Sequence, residues 1–315
     1  MDFFTHFLIG ILTSIYVLNT LPFNFIVYAS CMSVIVDFDI FLAPLKLITK
    51  SNLLSHKGLS HSYFSGLVFS FFTALLFIII TGESFIIAWM IGFVFYSLHV
   101  SLDFISASKI PILYPFSKKR YRFFIDRAIN LFLALISGLF MLSYLLFFFF
   151  LPELYFSNLF HYISGFYIAY FSYRFVSKIW IQFRLPTNSF YIPGTFPFTY
   201  FIYETISSER SHLYQLRKKV QFSKKNSVIL KTEIFKESEE MMFYEKALQI
   251  SKEYIFFSKW KAIIPIIEKG EDFYTIFLLL GESFFSGSAY TLKVVFNRKT
   301  ESIEKTSDGF NPRKR

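Results

Sequence analysis

The chain has 315 residues, 54% of them hydrophobic and 22% aromatic, with 46 Phe. A soluble chain of this length has no core large enough to hide that much apolar surface, and apolar runs of about 20 residues read instead as membrane spans. The formal net charge of +10 would suit nucleic acid or anionic lipid, but positive charge flanking spans is topogenic, so nucleic acid is set aside as a partner.

Six apolar segments occur in chain order, at about residues 3–18, 22–36, 63–81, 84–106, 128–151 and 155–176. No basic region precedes Phe3 and no small-residue cleavage site follows the first segment, which reads as a retained span. Lys46, Lys50 and Lys57 lie between segments two and three, and Lys109, Lys118, Lys119, Arg120, Arg122 and Arg127 between four and five. The connections at Gly82–Glu83 and Pro152–Glu153 carry no basic residue. The positive-inside rule therefore puts both termini and the two basic loops in the cytoplasm.

Charge density rises after the last span. Met1–Ser177 holds 10 Lys and Arg against 7 Asp and Glu, whereas Lys178–Arg315 holds 22 against 15. "FPFTYFIYETISSERSHLYQLRKKV", "KWKAIIPIIEKGEDFYTIFLLLG" and "AYTLKVVFNRK" are β-rich, with "EKGED" a hairpin turn. "SEEMMFYEKALQISKEYIFFS" has helical spacing and an acidic first turn. The expected fold is a mostly α membrane protein with about six transmembrane helices over residues 1–180. A small cytoplasmic α+β domain follows over 181–315, its tail loose from about residue 300.

Ligand-capable residues map unevenly onto this topology. His6 lies near the cytoplasmic end of span one, and Asp37 and Asp39, in "VIVDFDIF", end span two on the same side. His56 and His61 sit in the loop entering span three, with Ser60 as the expected N-cap. His99 and Asp103, in "SLHVSLDF", lie near the cytoplasmic end of span four. Four histidines and three carboxylates from four elements thus reach one membrane face, and ionisable groups within spans default to functional candidates. His99 and Asp103 are one turn apart, with Cβ atoms about 5–6 Å from each other. Imidazole with carboxylate suits a divalent metal, zinc first, then manganese or iron. Asp37 and Asp39, two residues apart, cannot share a helix face, so the helix is expected to end there. His161 reads as an interfacial anchor, His212 as a surface residue, and Asp126 with Arg127 either as an interfacial pair or as outer support for the metal ligands. Lys118, Lys119, Arg120 and Arg122 are topogenic first.

At these residues the chain resembles the membrane-bound metal-dependent hydrolase family, which includes LexA-regulated inner-membrane hydrolases. That family carries an N-terminal His, a P-D-x-D element, H-R-G-x-T-H-S, and H-x-x-x-D before L-x-P-F. Here these positions are His6, "VDFD" (Val36–Asp39), "HKGLSHS" (His56–Ser62), "HVSLD" (His99–Asp103) and "ILYPFS" (Ile112–Ser117). Val36, Lys57 and Ser60 replace the usual Pro, Arg and Thr, and "DFISASKIP" lacks the family's Thr or Asn and glycine. "LPTNSFYIPG", from Leu185, is similar to the entry into the extension of longer members. More distantly, the His, Asp, His, His-x-x-x-Asp order is similar to zinc-dependent phospholipase C.

The resemblance implies metal-dependent hydrolysis of a phosphoester, a phospholipid or lipid-linked phosphate, in the inner membrane with the site cytoplasmic. His6, Asp37, Asp39, His56, His61, His99 and Asp103 would supply the metal ligands, with Asp39 or Asp37 the general base. Lys57, Lys118, Arg120 and Arg122 would meet the substrate. Two other classes compete. A divalent-metal transporter would bind near the midplane on broken helices in repeated halves, which the chain does not show. A non-catalytic scaffold presenting the C-terminal domain would not need His99 and Asp103 one turn apart.

Overall fold

The computed structural model describes all residues except 43–56, 107, 129, 151–157, 224–225, 286 and 313–315. Lys46, Lys50, His56, Pro152 and Glu153 therefore lie outside the described residues. The chain forms two compact units, Met1–Phe175 and Val176–Arg315.

In the first unit, helix α1 (Phe3–Val17) is capped by Asp2, whose carboxylate accepts from the Thr5 amide at 2.9 Å. Helix α2 (Phe23–Met32) follows Pro22, and after Ser33 the chain tightens into a 3-10 helix at Ile35–Leu42. Helices α3 (Tyr63–Thr81) and α4 (Phe85–Ile105) form a hairpin across Gly82, whose φ of 74° is left-handed. Glycine takes that conformation without steric cost, which lets it close α3. Small residues at helical spacing, Gly66, Ser70 and Ala74, are the buried face of α3. A Cβ on Gly66 would stand 2.6 Å from the Tyr96 ring. Close approach through small residues is how helices pack in lipid, where apolar contact between helices is not favoured over contact with acyl chains.

Phe25, Tyr28, Ala29 and Met32 of α2 share a core with Ala88, Ile91, Phe95 and Tyr96 of α4. Helix α5 (Leu131–Phe150) and helix α6 (Asn158–Gln182) build another core with α1, through Leu8, Leu12, Leu133, Ile163 and Tyr167.

The six-span expectation is corrected. Among the described residues two helices are long and apolar enough to cross a membrane, Tyr63–Thr81 and Phe85–Ile105, or three if Phe23–Met32 and Ile35–Phe41, bent by 44°, form one broken span. At 1.5 Å per residue the 15 residues of α1 reach about 22 Å, short of the roughly 30 Å hydrocarbon layer. The described apolar part of α5, Leu131–Leu146, is also too short. Helix α6 carries Arg174 and Lys178, which lower its apolar content.

The small α+β domain is corrected as well. The second unit holds two four-stranded antiparallel sheets. The first runs β1 (Ser189–Pro193), β2 (Thr199–Ser207), β3 (Ser211–Val220) and β4 (Asn226–Phe235); the second runs β5 (Ile263–Lys269), β6 (Phe273–Leu280), β7 (Ser288–Asn297) and β8 (Ile303–Pro312). Helix α7 (Glu239–Ser251), capped by Ser238, shares a core with β6 and β7; the short helix α8 (Ile255–Lys259) follows it. Tyr274, Ile276, Leu278 and Leu280 are fully buried at every second position of β6, the period of a sheet covered on one face. The stretch expected to be loose carries β8, paired along β7 from Phe296–Ile303 to Ser288–Pro312.

Candidate metal centre

Helix α4 places His99 and Asp103 one turn apart, both fully buried. His99 Nδ1 lies 2.8 Å from the Ser33 carbonyl. A carbonyl can only accept, so Nδ1 carries a proton and Nε2 is the nitrogen left to face the carboxylates. That Nε2 is buried without a hydrogen-bond partner and faces Asp37 Oδ1 at 3.5 Å and Asp103 Oδ2 at 3.9 Å.

The tight turn after α2 sorts the two neighbouring aspartates. A 3-10 helix advances about 120° per residue, so Asp37 and Asp39 leave Ile35–Leu42 in different directions. Asp37 Oδ1 faces His61 Nε2 at 3.8 Å as well as His99. Asp39 instead accepts from the Lys57 amide at 3.1 Å and from the Ser60 hydroxyl, and lies 3.2 Å from His61 Nδ1. The cap of α3 is Ser62, which accepts from the Ser65 amide at 3.1 Å; Ser60 is spent on Asp39.

His61, on the short 3-10 turn Leu59–His61, is fully buried, with Nε2 3.0 Å from Asp103 Oδ2. Burial alone would lower its imidazole pKa, but Asp103, Asp37 and Asp39 raise it, and a cation held among those carboxylates would displace the Nε2 proton. One donor atom each from Asp37, His61, His99 and Asp103 lies within 4.8 Å of the others. Donors about 2.0–2.2 Å from one tetrahedral ion lie about 3.3–3.6 Å apart, so the separations of 3.0–3.9 Å already suit an ion and the widest would contract by about 1 Å. Two nitrogens and two carboxylate oxygens suit zinc, manganese or iron. The partnerless His99 Nε2 aimed among carboxylates is the atom a divalent cation would satisfy. The residues present fit a metal.

Three cationic or ring groups crowd this set. His6, on α1, stacks on His99 with centroids 3.9 Å apart and has Nε2 3.3 Å from Asp103 Oδ1, while its buried Nδ1 has no hydrogen-bond partner. Lys57 Nζ is 2.8 Å from the Asp103 carboxylate, and the Met1 amino nitrogen contacts Asp103 Oδ1.

Residues 1–181 match a family model described as YdjM inner membrane protein. The chain belongs to the YdjM inner membrane protein family. The match covers both helices of span length and the whole donor set, and so carries the inner-membrane part of the resemblance read from the motifs. The family description names no reaction, and neither hydrolase nor phospholipase C similarity follows from it. Comparison with curated proteins and with solved structures gives no match.

Of the seven ligand candidates, the structure gathers four, sets His6 against two of them and Asp39 behind His61, and leaves His56 outside the described residues. Of the substrate candidates Lys57 reaches the cluster, whereas Lys118 is exposed, Arg120 is half-buried, and Arg122 lies over the Phe124 ring at 4.5 Å. The Ser33 carbonyl went unread, since a backbone group leaves no mark in a sequence. Asp126 is no simple interfacial partner of Arg127: it is buried and bound by Asn130 Nδ2 and the Tyr170 hydroxyl, each at 2.7 Å, with Arg174 Nη2 3.7 Å away. His161 bonds the Tyr16 hydroxyl.

Proposed function

We propose that the protein is an integral inner-membrane, metal-dependent hydrolase of a phosphoester, phospholipase C-like in reaction class, with its site and both termini cytoplasmic. The observation that carries the reading is the orientation of two imidazoles. The Ser33 carbonyl and the Asp39 carboxylate each face an Nδ1, turning His99 Nε2 and His61 Nε2 toward Asp37 and Asp103. Outer partners that fix ring and tautomer in this way are the mark of a ligating histidine.

Asp37, His61, His99 and Asp103 would hold the ion. A divalent metal there would act as a Lewis acid toward a phosphoryl oxygen and would lower the pKa of water to about 7. Asp37 is the one member of the four whose side chain is not fully buried, at 18%, and it is assigned the base. Asp37 Oδ2 would take the proton of the water that attacks phosphorus and, as the P–O ester bond breaks, would return it to the leaving alkoxide, so that the base ends as it began. Asp39, committed to Lys57, Ser60 and His61, positions His61 instead. Lys57 Nζ, beside Asp103, is placed to neutralise a phosphate oxygen.

The test is metal analysis of purified wild type with turnover of a phospholipid and phosphodiester panel, beside Asp37→Asn and Asp39→Asn. Removal of a general base costs about 10²–10⁴-fold in rate, expected for Asp37→Asn assayed with metal in excess, since Asn keeps an oxygen donor at the site and loses the basic carboxylate. Metal uptake into liposomes without hydrolysis of any ester would replace this reading with a transporter. Cysteine labelling at position 119 from each side of the membrane checks orientation, and reactivity from outside alone overturns it.

A further inference from the structure

Beside the metal centre lies a cavity of about 660 Å³ whose wall is mostly Phe, Val, Ile and Leu. Ligand pockets run about 300–1,000 Å³. Phe64, Val68 and Phe72 line it at successive turns of α3, with Ser65 and Phe69 beside them, so it follows that span for about 12 Å. Three hydroxyls on its wall are already spent. Ser60 donates to Asp39, Ser65 Oγ donates to the Leu59 carbonyl at 2.8 Å, and the Tyr96 hydroxyl donates to the Ser60 carbonyl. A polar occupant would give up its hydrogen bonds to water and find few here, a loss of several kcal/mol in an apolar site.

One end of the cavity is not apolar. Asp39 and Ser60 line it, and the Asp39 carboxylate is 3.2 Å from His61 Nδ1. The cleft therefore begins one residue from the donor set and runs along a helix of membrane-spanning length. We propose that it holds an acyl chain of a phospholipid substrate, laid along α3 with the phosphoester at the Asp37–His61–His99–Asp103 group. The substrate assignment rests on the hydrolase reading. A chain entering the cleft from the bilayer exchanges one apolar surrounding for another, so no methylene meets water and the head group alone decides recognition at the polar end.

The experiment uses full-length protein in liposomes containing a phosphatidylglycerol with a diazirine at one acyl terminus. Label is expected to concentrate several-fold on the peptide holding Phe64–Phe72 over the exposed Ile79 and Ile80 farther along the same helix. Val68→Trp and Ser65→Leu, which fill the cleft, should lose that label while keeping wild-type metal content, a readout that also shows folding. Uniform labelling along α3 would make the lipid merely annular, and an unlabelled cleft would mean that protein covers it; either overturns the proposal, as does unchanged label in both variants. Labelling needs no turnover. A labelled cleft with no ester cleaved sinks the hydrolase reading but leaves the lipid site, and cleavage of soluble esters with uniform labelling does the reverse.

Discussion

Asp103 in the helical unit and Glu282 in the β unit are both buried carboxylates, at 0% and 4% exposure, yet their surroundings differ in kind. Glu282 accepts from two successive backbone amides, Lys261 at 2.8 Å and Ala262 at 3.0 Å, and so ties the chain entering β5 to the turn after β6. Asp103 is met by ionisable groups from separate segments: His6, Lys57, His61, His99 and the Met1 amine. A buried carboxylate that satisfies amides closes a fold. One ringed by imidazoles and ammoniums instead gathers groups whose protonation can change, which is where chemistry collects. Burial alone does not separate the two; the kind of partner does.

The largest effect should come from dismantling the Asp103 side of this contrast. His61→Ala removes a donor and should strip most bound metal, whereas His161→Ala, which loses a bond to Tyr16 and ring contacts with Tyr16 and Phe160, should leave metal content at the wild-type value. Asp39→Asn should fall between them, since losing an outer-sphere partner costs about 10–100-fold in metal affinity or activity. Metal analysis of the three variants decides the order. Equal metal in wild type and His61→Ala would reject the centre.

This grading shows what could be read before folding was known. His99 and Asp103 were legible because α-helical spacing alone puts i and i+4 on one face. Asp37 and Asp39 were legible as residues, but the helix expected to end at them stops at Met32, and their division of labour depends on the 3-10 path of Ile35–Leu42. The capping hydroxyl was misread by two residues, because Ser60 and Ser62 are equivalent by composition and only the loop's path gives Ser60 to Asp39. The span count failed for a different reason: in a chain with 46 Phe, apolar runs are common and length becomes the poorer guide. Residues after 300 are polar, and β8 is held by pairing along β7 rather than by a buried face, which leaves no hydrophobic period to find.

A smaller effect is expected on the Glu282 side. Glu282→Ala leaves the Lys261 and Ala262 amides without that acceptor, and a buried donor left unsatisfied costs about 1–3 kcal/mol. Hydrogen exchange at β5 in the full protein should quicken by roughly tenfold for each 1.4 kcal/mol lost, while metal content stays unchanged. Metal loss without faster exchange at β5 would erase the distinction between a carboxylate that closes a fold and one that serves a site.

The smallest effect tests an exposed carboxylate, for which the contrast predicts neither role strongly. Glu239, in the first turn of α7, accepts from the Tyr274 hydroxyl and from Arg298 Nη2, each at 2.9 Å. The Tyr274 hydroxyl first, then Arg298, holds its carboxyl below the usual range. A depressed folded-state pKa means that the unfolded chain takes up the proton first as pH falls. The contribution is therefore present above the unfolded carboxylate range and is lost as pH drops through the lower, folded value. Glu239→Gln mimics the protonated form, so its deficit relative to wild type should be small at neutral pH and vanish in acid. Hydrogen exchange at α7 and β6 over that range checks it. A deficit that persisted unchanged into acid would assign the effect to lost shape or packing at the start of α7, and the charge on Glu239 would then carry none of it.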